Sequence, residues 1–365
     1  MNKLRLGFEI LNILHKNSFD AYIVGGAVRD FVRNAPIEDV DIATNALPEE
    51  VFKLFPKVTY EGKPYLSCRI HFKGCIFEVT TFRKELTYID HRHPEYVPAQ
   101  TIEEDLVRRD FTMNALAMKH PDQIIDLYHG IEDIKQGILR MIGDPVVRFD
   151  EDALRVFRAL DFVSRWNYKL EQNILDSFSK DYLKYLKEEL VISMIKRIAT
   201  NPFLIGLAYI KEYQLLRSFP FYQVVCEEAY AQGYTKNIFA LFYVIHNFLP
   251  ADCKLTKQEK TNAKDIAFWI RHQFDNISLY YGKLDCLNEA IDLYNHLYDK
   301  TMSYEEIVLK RQKLPIHSSK DIQLDWSRVP TKERGKQTKR LEMAILLGII
   351  KNREKEVIQF LETEE

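Results

Sequence analysis

The sequence predicts an α+β protein: a head built on a small β-sheet, then helices alone to the C-terminus. Three observations carry this. Up to about Met141, short β-rich runs alternate with helical patterns and turn residues. After Asp144 the strand runs fade, and 3.6-residue periodicity with few glycines takes over. The length, 365 residues, is enough for two or three domains.

The elements follow in order. Ala21-Tyr22-Ile23-Val24 is an apolar strand run ended by Gly25-Gly26, which opens a helical segment from Ala27 to Phe31. Asp39-Val40-Asp41-Ile42-Ala43 alternates polar and apolar, as a half-buried strand does. Leu47 to Phe52 reads as a helix start with Pro48 in its first turn. Ser67 to Phe72 and Cys75 to Phe82 form a hairpin across Lys73-Gly74. Ile124 to Leu127 and Ile138 to Ile142 are further strands. Among the helices, breaks are expected near Pro202, Pro220, Pro250 and Pro315. No internal repeat is evident.

Hydrophobic content of 46% and charged content of 28% fit a soluble globular protein with a proper core. No apolar run spans a membrane, and the N-terminus lacks a signal-peptide pattern, so a cytoplasmic protein without a membrane partner is expected. Five cysteines without a CxxC argue against a disulfide framework or structural zinc and for free thiols. A net charge of −2 decides nothing about nucleic acid, but positive charge clusters between Lys310 and Arg340. By itself that cluster reads as a solvated helix face.

Asp39 and Asp41, two residues apart on a strand, share one face. Two such carboxylates repel unless a cation lies between them, and Mg²⁺ suits oxygen ligands while leaving positions for substrate phosphates. Glycines at 25 and 26 let backbone N–H groups approach a triphosphate, where Arg29 supplies a guanidinium fork. Glu78, a strand acid, is either a third carboxylate of the metal site or a satisfied strand residue. Asp110 and Asn114, at i and i+4, are expected on one helical face, holding ribose hydroxyls while Arg109 reaches phosphate. The alternative is an N-cap and a polar core group. Farther on, Ala153, Val156, Phe157, Leu160 and Val163 make an apolar helical stripe, with Glu151, Arg155 and Arg158 opposite and Asp152 beside Arg155.

The set Gly25-Gly26-x-Val28-Arg29-Asp30, Asp39-x-Asp41-x-x-Thr44, Arg108-Arg109-Asp110-Phe111-Thr112-x-Asn114-Ala115, Asp126-x-x-x-Gly130-x-x-Asp133 and Glu151-Asp152-x-x-Arg155 closely resembles the class II tRNA nucleotidyltransferases. These are the bacterial and eukaryotic CCA-adding enzymes, with bacterial poly(A) polymerases as close kin. The resemblance implies a DNA polymerase beta-like nucleotidyltransferase head at residues 1–142, a base-recognising helical neck at 143–205, a helical body at 206–295 and a tRNA-binding helical tail at 296–365. It implies CTP, ATP and the tRNA acceptor end as substrates in a two-metal nucleotidyl transfer that releases pyrophosphate, with two Mg²⁺ held by Asp39 and Asp41. Gly25, Gly26, Arg29 and Arg109 would contact the nucleotide, Asp110 and Asn114 the sugar, and Asp152 and Arg155 the base, assisted by Arg158. Asp126, Gly130 and Asp133 would shape the head–neck joint. In the tail, Lys310, Arg311, Lys313, Arg334 and Lys336 would grip tRNA phosphates.

The base reading has an independent physical basis. Cytosine and adenine both present an amino donor beside a ring-nitrogen acceptor, which a carboxylate and a guanidinium match. Uracil and guanine reverse both groups, and each unpaired buried polar group costs roughly 1–3 kcal/mol. One position departs from the family: Asp161 stands where a third arginine is common, and Arg165, one turn on, is the candidate substitute. Residues Glu85 to Glu95 resemble the flexible loop that CC-adding enzymes lack, so full CCA addition is expected over CC-adding, A-adding or poly(A) activity. His91 and His93 read as solvated loop residues. No HD-type hydrolase signature is visible, so no phosphatase activity is expected.

Overall fold

The computed structural model describes residues 3–60, 66–88, 90–92 and 94–363, in two compact units, Met1–Gln223 and Val224–Glu365. The expected boundaries at 142 and 205 fall inside the first unit, and that at 295 inside the second. None of the described helices is long and apolar enough to cross a membrane. The five cysteines are free thiols, four of them buried.

The first unit opens with α1 (Lys3–Lys16), whose Leu6, Ile10, Leu11 and Leu14 are buried. Strand β1 (Ala21–Val24) ends at Gly25, and α2 (Gly26–Val32) follows. β2 (Asp41–Thr44) leads to α3 (Pro48–Leu54), and β3 (Val58–Tyr60) to the hairpin of β4 (Ser67–Phe72) and β5 (Cys75–Thr81). Lys73 and Gly74 turn that hairpin with positive φ at both residues, as a tight two-residue connection requires.

The segment expected as a flexible loop is instead a second hairpin, β6 (Arg83–Tyr88) and β7 (Pro94–Pro98). Its β-branched and aromatic residues find cross-strand partners that composition alone does not reveal. His93 lies outside the described residues.

Helix α4 (Ile102–Val107) begins at a capping box in which the Thr101 side chain accepts from Glu104 N. β8 (Leu116–His120), β9 (Gln123–Asp126), α5 (Gly130–Gln136) and β10 (Ile138–Leu139) complete the head. Its main sheet runs β3-β4-β5-β2-β1-β8-β9, with β2 and β5 parallel and the other neighbours antiparallel. The strand expected over 138–142 shortens to two residues.

The helices α6 (Pro145–Glu151) and α7 (Leu154–Trp166) follow, then β11 (Lys169–Leu170), α8 (Gln172–Ser177), α9 (Glu188–Ala199), α10 (Ile205–Tyr213) and α11 (Pro220–Gln232), the last spanning the boundary between units. β10 pairs in parallel with β11, and Arg140 bonds both Asp133 and Glu171. The head is thereby stitched to the helices after it. The stripe Ala153, Val156, Phe157, Leu160 and Val163 is buried, as its spacing predicts.

The rest of the second unit contains α12 (Ile238–His246), α13 (Lys257–Arg271), α14 (Asn276–Tyr281), α15 (Leu287–Tyr298), α16 (Tyr304–Gln312), α17 (Arg334–Leu346) and α18 (Glu354–Glu362), with no strand among its described residues. Pro202, Pro250 and Pro315 lie between helices and Pro220 starts one. Trp269 is fully buried, and its Nε1 donates to Lys283 O at 3.0 Å. Glu342 is buried and accepts from Tyr280 and Tyr281 at 2.8 and 2.5 Å.

The motif Asp126-x-x-x-Gly130-x-x-Asp133 is a structural device. Asp126 accepts from Gly130 N and Ile131 N at 2.8 and 2.9 Å, and buried Asp133 accepts from Thr112 Oγ1 at 2.6 Å. Gly130 presses on the turn Thr112–Asn114: a Cβ there would lie 2.2 Å from Thr112 O. Gly130→Ala is therefore expected to cost about 2–3 kcal/mol, the overpacking range, because the obstruction is backbone. Urea unfolding of both proteins measures it.

Candidate active site

Asp41 is the first residue of β2, and Asp39 precedes the strand. Val40 and Ile42 are buried, so the alternation places both carboxylates on the outer side as predicted. Asp39 is largely exposed, and Lys3 Nζ donates to its Oδ1 at 2.8 Å. A protein ammonium thus occupies a position favourable to positive charge.

Asp41 opens onto solvent yet is ringed by protein atoms. Burial raises its pKa above the usual carboxylate value. Arg109 opposes the shift, Asp39 adds to it, and Lys3 opposes it again. An all-oxygen, mutually repelling pair is the donor set a hard divalent cation fits.

Glu78 sits directly across from Asp41 on the parallel neighbour β5, with Arg69 as its register partner on β4. Among the described residues, no group of three His, Cys, Asp or Glu gathers closely enough to hold a metal. Strand register places Glu78 beside Asp41 on the neighbouring strand.

A cavity of about 490 Å³ extends from Asp41 to α7, lined by Gly25, Gly26, Arg29, Arg109, Asp110, Asn114, Asp152, Arg155 and Arg158 among others. Gly25 has φ 64° and ψ −125°, a backbone conformation that strains any L side chain, and a Cβ there would press at 3.0 Å on the Arg109 guanidinium.

Arg29 is buried, and its fork is already engaged. Its Nε and Nη2 donate to Asp30 at 3.0 and 2.9 Å, its Nη1 donates to Asn114 Oδ1 at 2.8 Å, and its guanidinium lies 4.5 Å from the Trp166 ring. The free phosphate fork expected of Arg29 is thus replaced by a fixed positive charge in the wall. From Asn114 the network continues: Nδ2 donates to Asp110 Oδ1 at 3.2 Å, and Arg158 Nη2 meets Asp110 Oδ2 at 2.6 Å.

Asp110 and Asn114 meet, but not on a helix. Phe111 is extended and bridges Met141, so the chain makes only a 3₁₀ turn at Thr112–Asn114. Burying the Phe111 ring against Phe162 outweighs local helical preference.

Arg155 is buried, although its sequence position reads as the solvent face. Its Nη1 donates to Arg148 O and Glu151 Oε2 at 2.8 and 2.9 Å, and its Nη2 to Tyr88 Oη at 2.8 Å. Tyr88 in turn donates to Glu85 Oε2 at 2.6 Å. The second hairpin therefore touches the arginine at the far end of the cavity.

His91 at the hairpin tip is not a solvated loop residue. It stacks on Tyr185 at 3.6 Å, its Nδ1 donates to Asp150 O, and its carbonyl accepts from Ala153 N at 3.1 Å. Asp152 caps α6 in an extended conformation beside Arg155. Burial raises its pKa, opposed by Arg155, the Leu154 amide, Arg158 and Arg92.

Residues 21–140 match the Poly A polymerase head domain family. A CCA-adding enzyme of Bacillus licheniformis is 34% identical, with 97% of this chain and 96% of that one aligned. The chain belongs to this family. A CCA-adding enzyme of Staphylococcus saprophyticus is 31% identical over 97% of both chains. The crystal structure of the Bacillus stearothermophilus CCA-adding enzyme in complex with CTP superposes with a TM-score of 0.77 at 26% identity, covering 98% and 96% of the two chains. The Thermotoga maritima CCA-adding enzyme complexed with tRNA shares the fold, with a TM-score of 0.68 at 18% identity over 99% and 95%.

Where the family commonly has a third arginine, Asp161 is buried and pairs with Arg165 and Arg197 at 2.7 and 3.1 Å, with Asn201 bonded at 2.9 Å. Arg165 is drawn to this acid, and the cavity wall beyond Arg158 is Phe162. Of the basic residues expected to bind tRNA, Lys310, Lys313 and Lys336 are exposed. Arg311 and Arg334 are half-buried, donating to Gly282 O and Val329 O at 3.1 and 3.0 Å.

Several residues of the site escape sequence reasoning. Arg148 Nη2 donates to the carbonyls of Arg108 and Arg109, and Tyr88 and Trp166 fix arginines distant in sequence. None carries a local signal. Asp105 does, lying three and four residues before Arg108 and Arg109.

Asp105 is buried and accepts from Arg108 Nε and Nη2 at 3.0 and 2.7 Å and from Arg109 Nη2 at 2.9 Å. Burial acts to raise its pKa, but the two arginines outweigh it and hold the carboxyl below its usual value. Its stabilisation is present above the ordinary carboxylate pKa and lost as pH falls through the depressed one. Asp105→Asn is expected to cost about 3 kcal/mol at neutral pH, because it leaves two guanidiniums under-compensated. The loss relative to wild type should shrink in acid, as chemical denaturation at both pH values measures.

Proposed function

We propose that this protein adds the 3′-terminal CCA sequence to tRNA without a nucleic-acid template, using CTP and ATP and releasing pyrophosphate. The observation that supports this best is the single cavity joining Asp41 at one end to Asp152 and Arg155 at the other, with Gly25, Gly26, Arg29 and Arg109 between. The cytoplasm is the proposed compartment.

The acceptor's 3′-hydroxyl attacks the α-phosphorus of the bound nucleotide. Asp39 and Asp41 would hold two divalent cations, proposed to be Mg²⁺, and such ions would supply acidification of the attacking hydroxyl and charge neutralisation at the leaving pyrophosphate. Arg29 and Arg109, fixed by Asp30 and Asp105, supply positive charge along the phosphates without reorganising. Asp110 and Asn114, already bonded to each other, present their remaining polar atoms to the ribose, and Arg158 holds Asp110 in place.

At the base, ionised Asp152 accepts from the amino group of C or A, and Arg155 donates to the adjacent ring nitrogen. The hairpin β6–β7 is the lever that re-aims Arg155 when A follows C, through the bond between Arg155 Nη2 and Tyr88. Lys310, Lys313 and Lys336 are the proposed phosphate contacts in the tail at 296–365.

Incubating tRNA that lacks its 3′ end with CTP, ATP and both tests this. The expected products are two C additions with CTP alone and C, C, A with both. Arrest after CC with both nucleotides identifies a CC-adding enzyme, A addition only to tRNA ending in CC an A-adding one, and a long A tail a poly(A) polymerase. Asp39→Ala and Asp41→Ala should each lower incorporation by on the order of a thousandfold with the fold retained. Activity persisting in either removes the metal assignment.

The raised pKa of Asp152 makes a further pH prediction. The carboxylate reads the amino group only when ionised, so kcat/KM for CTP should fall with decreasing pH at a point above the ordinary carboxylate value. Asp152→Asn should abolish that inflection and narrow the preference for CTP over UTP; both are read from pH profiles of single-nucleotide incorporation.

A further inference from the structure

A second cavity, of about 640 Å³, also reaches Asp41, with Tyr60, Ser67, Glu78, Thr80, Arg83 and Arg108 on its wall. Asp41 and Arg83 line both cavities, as do Arg108 and Arg109. The cations of this second cavity are not equivalent. Arg108 donates twice to Asp105 and approaches Glu85 at 3.6 Å, and Arg109 donates to Asp105 Oδ2 and Asn114 O. Among the described residues, no side-chain hydrogen bond or ion pair engages the Arg83 guanidinium. Its Nε is buried without a partner, and it lies 5.0 Å from the Tyr96 ring.

Burial and the charge of Arg108 both work against the Arg83 cation, by more than Glu85, Asp105 and Tyr96 relieve. A half-buried guanidinium with open donors, beside a like charge, is stabilised by an anion. The first cavity already supplies a nucleotide with Arg29, Arg109, Arg155 and Arg158. An anion in the second cavity has Arg83 as the donor that no described side chain engages.

We propose that Arg83 binds the 3′-terminal phosphodiester of the acceptor RNA and thereby sets the terminal hydroxyl against Asp41. This rests on the nucleotidyltransferase reading above and adds the residue that holds the second substrate. Arg83 leaves β5 through Phe82, whose ring is fully buried and whose backbone bonds Thr44 and Ala99, so the guanidinium is carried on a rigid strand junction.

Steady-state incorporation of one C into a tRNA minihelix ending at the discriminator position tests the proposal with Arg83→Gln, Arg83→Lys and Tyr96→Leu. Arg83→Gln is expected to raise KM for the minihelix about tenfold or more while KM for CTP stays within about twofold, the loss of a hydrogen bond to a charged group. The slope of log Kd for the minihelix against log salt should fall by about 0.7–0.9, one phosphate contact. Arg83→Lys should recover part of both.

A rise in KM for CTP equal to or larger than that for the minihelix overturns the proposal and assigns Arg83 to the triphosphate. An unchanged minihelix KM overturns it as well. So does Tyr96→Leu reproducing the Arg83→Gln effect, since Arg83 would then act only by holding the hairpin. Absence of C incorporation by the wild-type protein overturns the function itself, and this proposal with it.

Discussion

The site depends on one electrostatic constraint: many guanidiniums must be held around one cavity before any polyanion arrives. Arg29, Arg83, Arg92, Arg108, Arg109, Arg155 and Arg158 all line it. Left unpaired at that separation they would repel, so the fold interleaves them with carboxylates. Asp30 takes Arg29, Asp105 takes Arg108 and Arg109, Glu151 takes Arg155, and Asp110 takes Arg158. Asp105, the most buried of these acids, carries a desolvation cost that its two guanidinium partners outweigh.

This arrangement has a functional consequence. Each of the five paired arginines keeps its position and its charge while part of its hydrogen-bonding capacity is spent on protein. The positive potential is therefore pre-organised, and binding a triphosphate requires little rearrangement of the wall. Arg155 differs in that one of its partners, Tyr88, is carried on the hairpin rather than on α6 or α7. The geometry of Arg155 is thus coupled to a separate element, docked at its tip by the stack of His91 on Tyr185.

The second unit follows a different logic. Its cohesion comes from buried aromatics such as Trp269 and from capping boxes at Thr256 and Ser303 that start its helices. Its exposed lysines Lys310, Lys313 and Lys336 are free to meet solvent ions, whereas Arg311 and Arg334 are spent on backbone carbonyls.

Local pattern alone determined much of this protein. Binary alternation placed Val40 and Ile42 inside and Asp39 and Asp41 outside, Lys73-Gly74 marked the β4–β5 turn, and the prolines marked the helix ends. These features obey rules that span only a few residues. Five ordered motifs also identified the family and most of the cavity wall. What only tertiary structure decided involves partners far apart in the chain: Phe111 breaking the expected helix to bridge Met141, Arg155 buried under Tyr88, Asp161 enclosed by Arg165 and Arg197, and Arg83 set between two cavities. In each case the energy comes from desolvation and charge pairing with groups up to tens of residues away, which no short window of sequence contains.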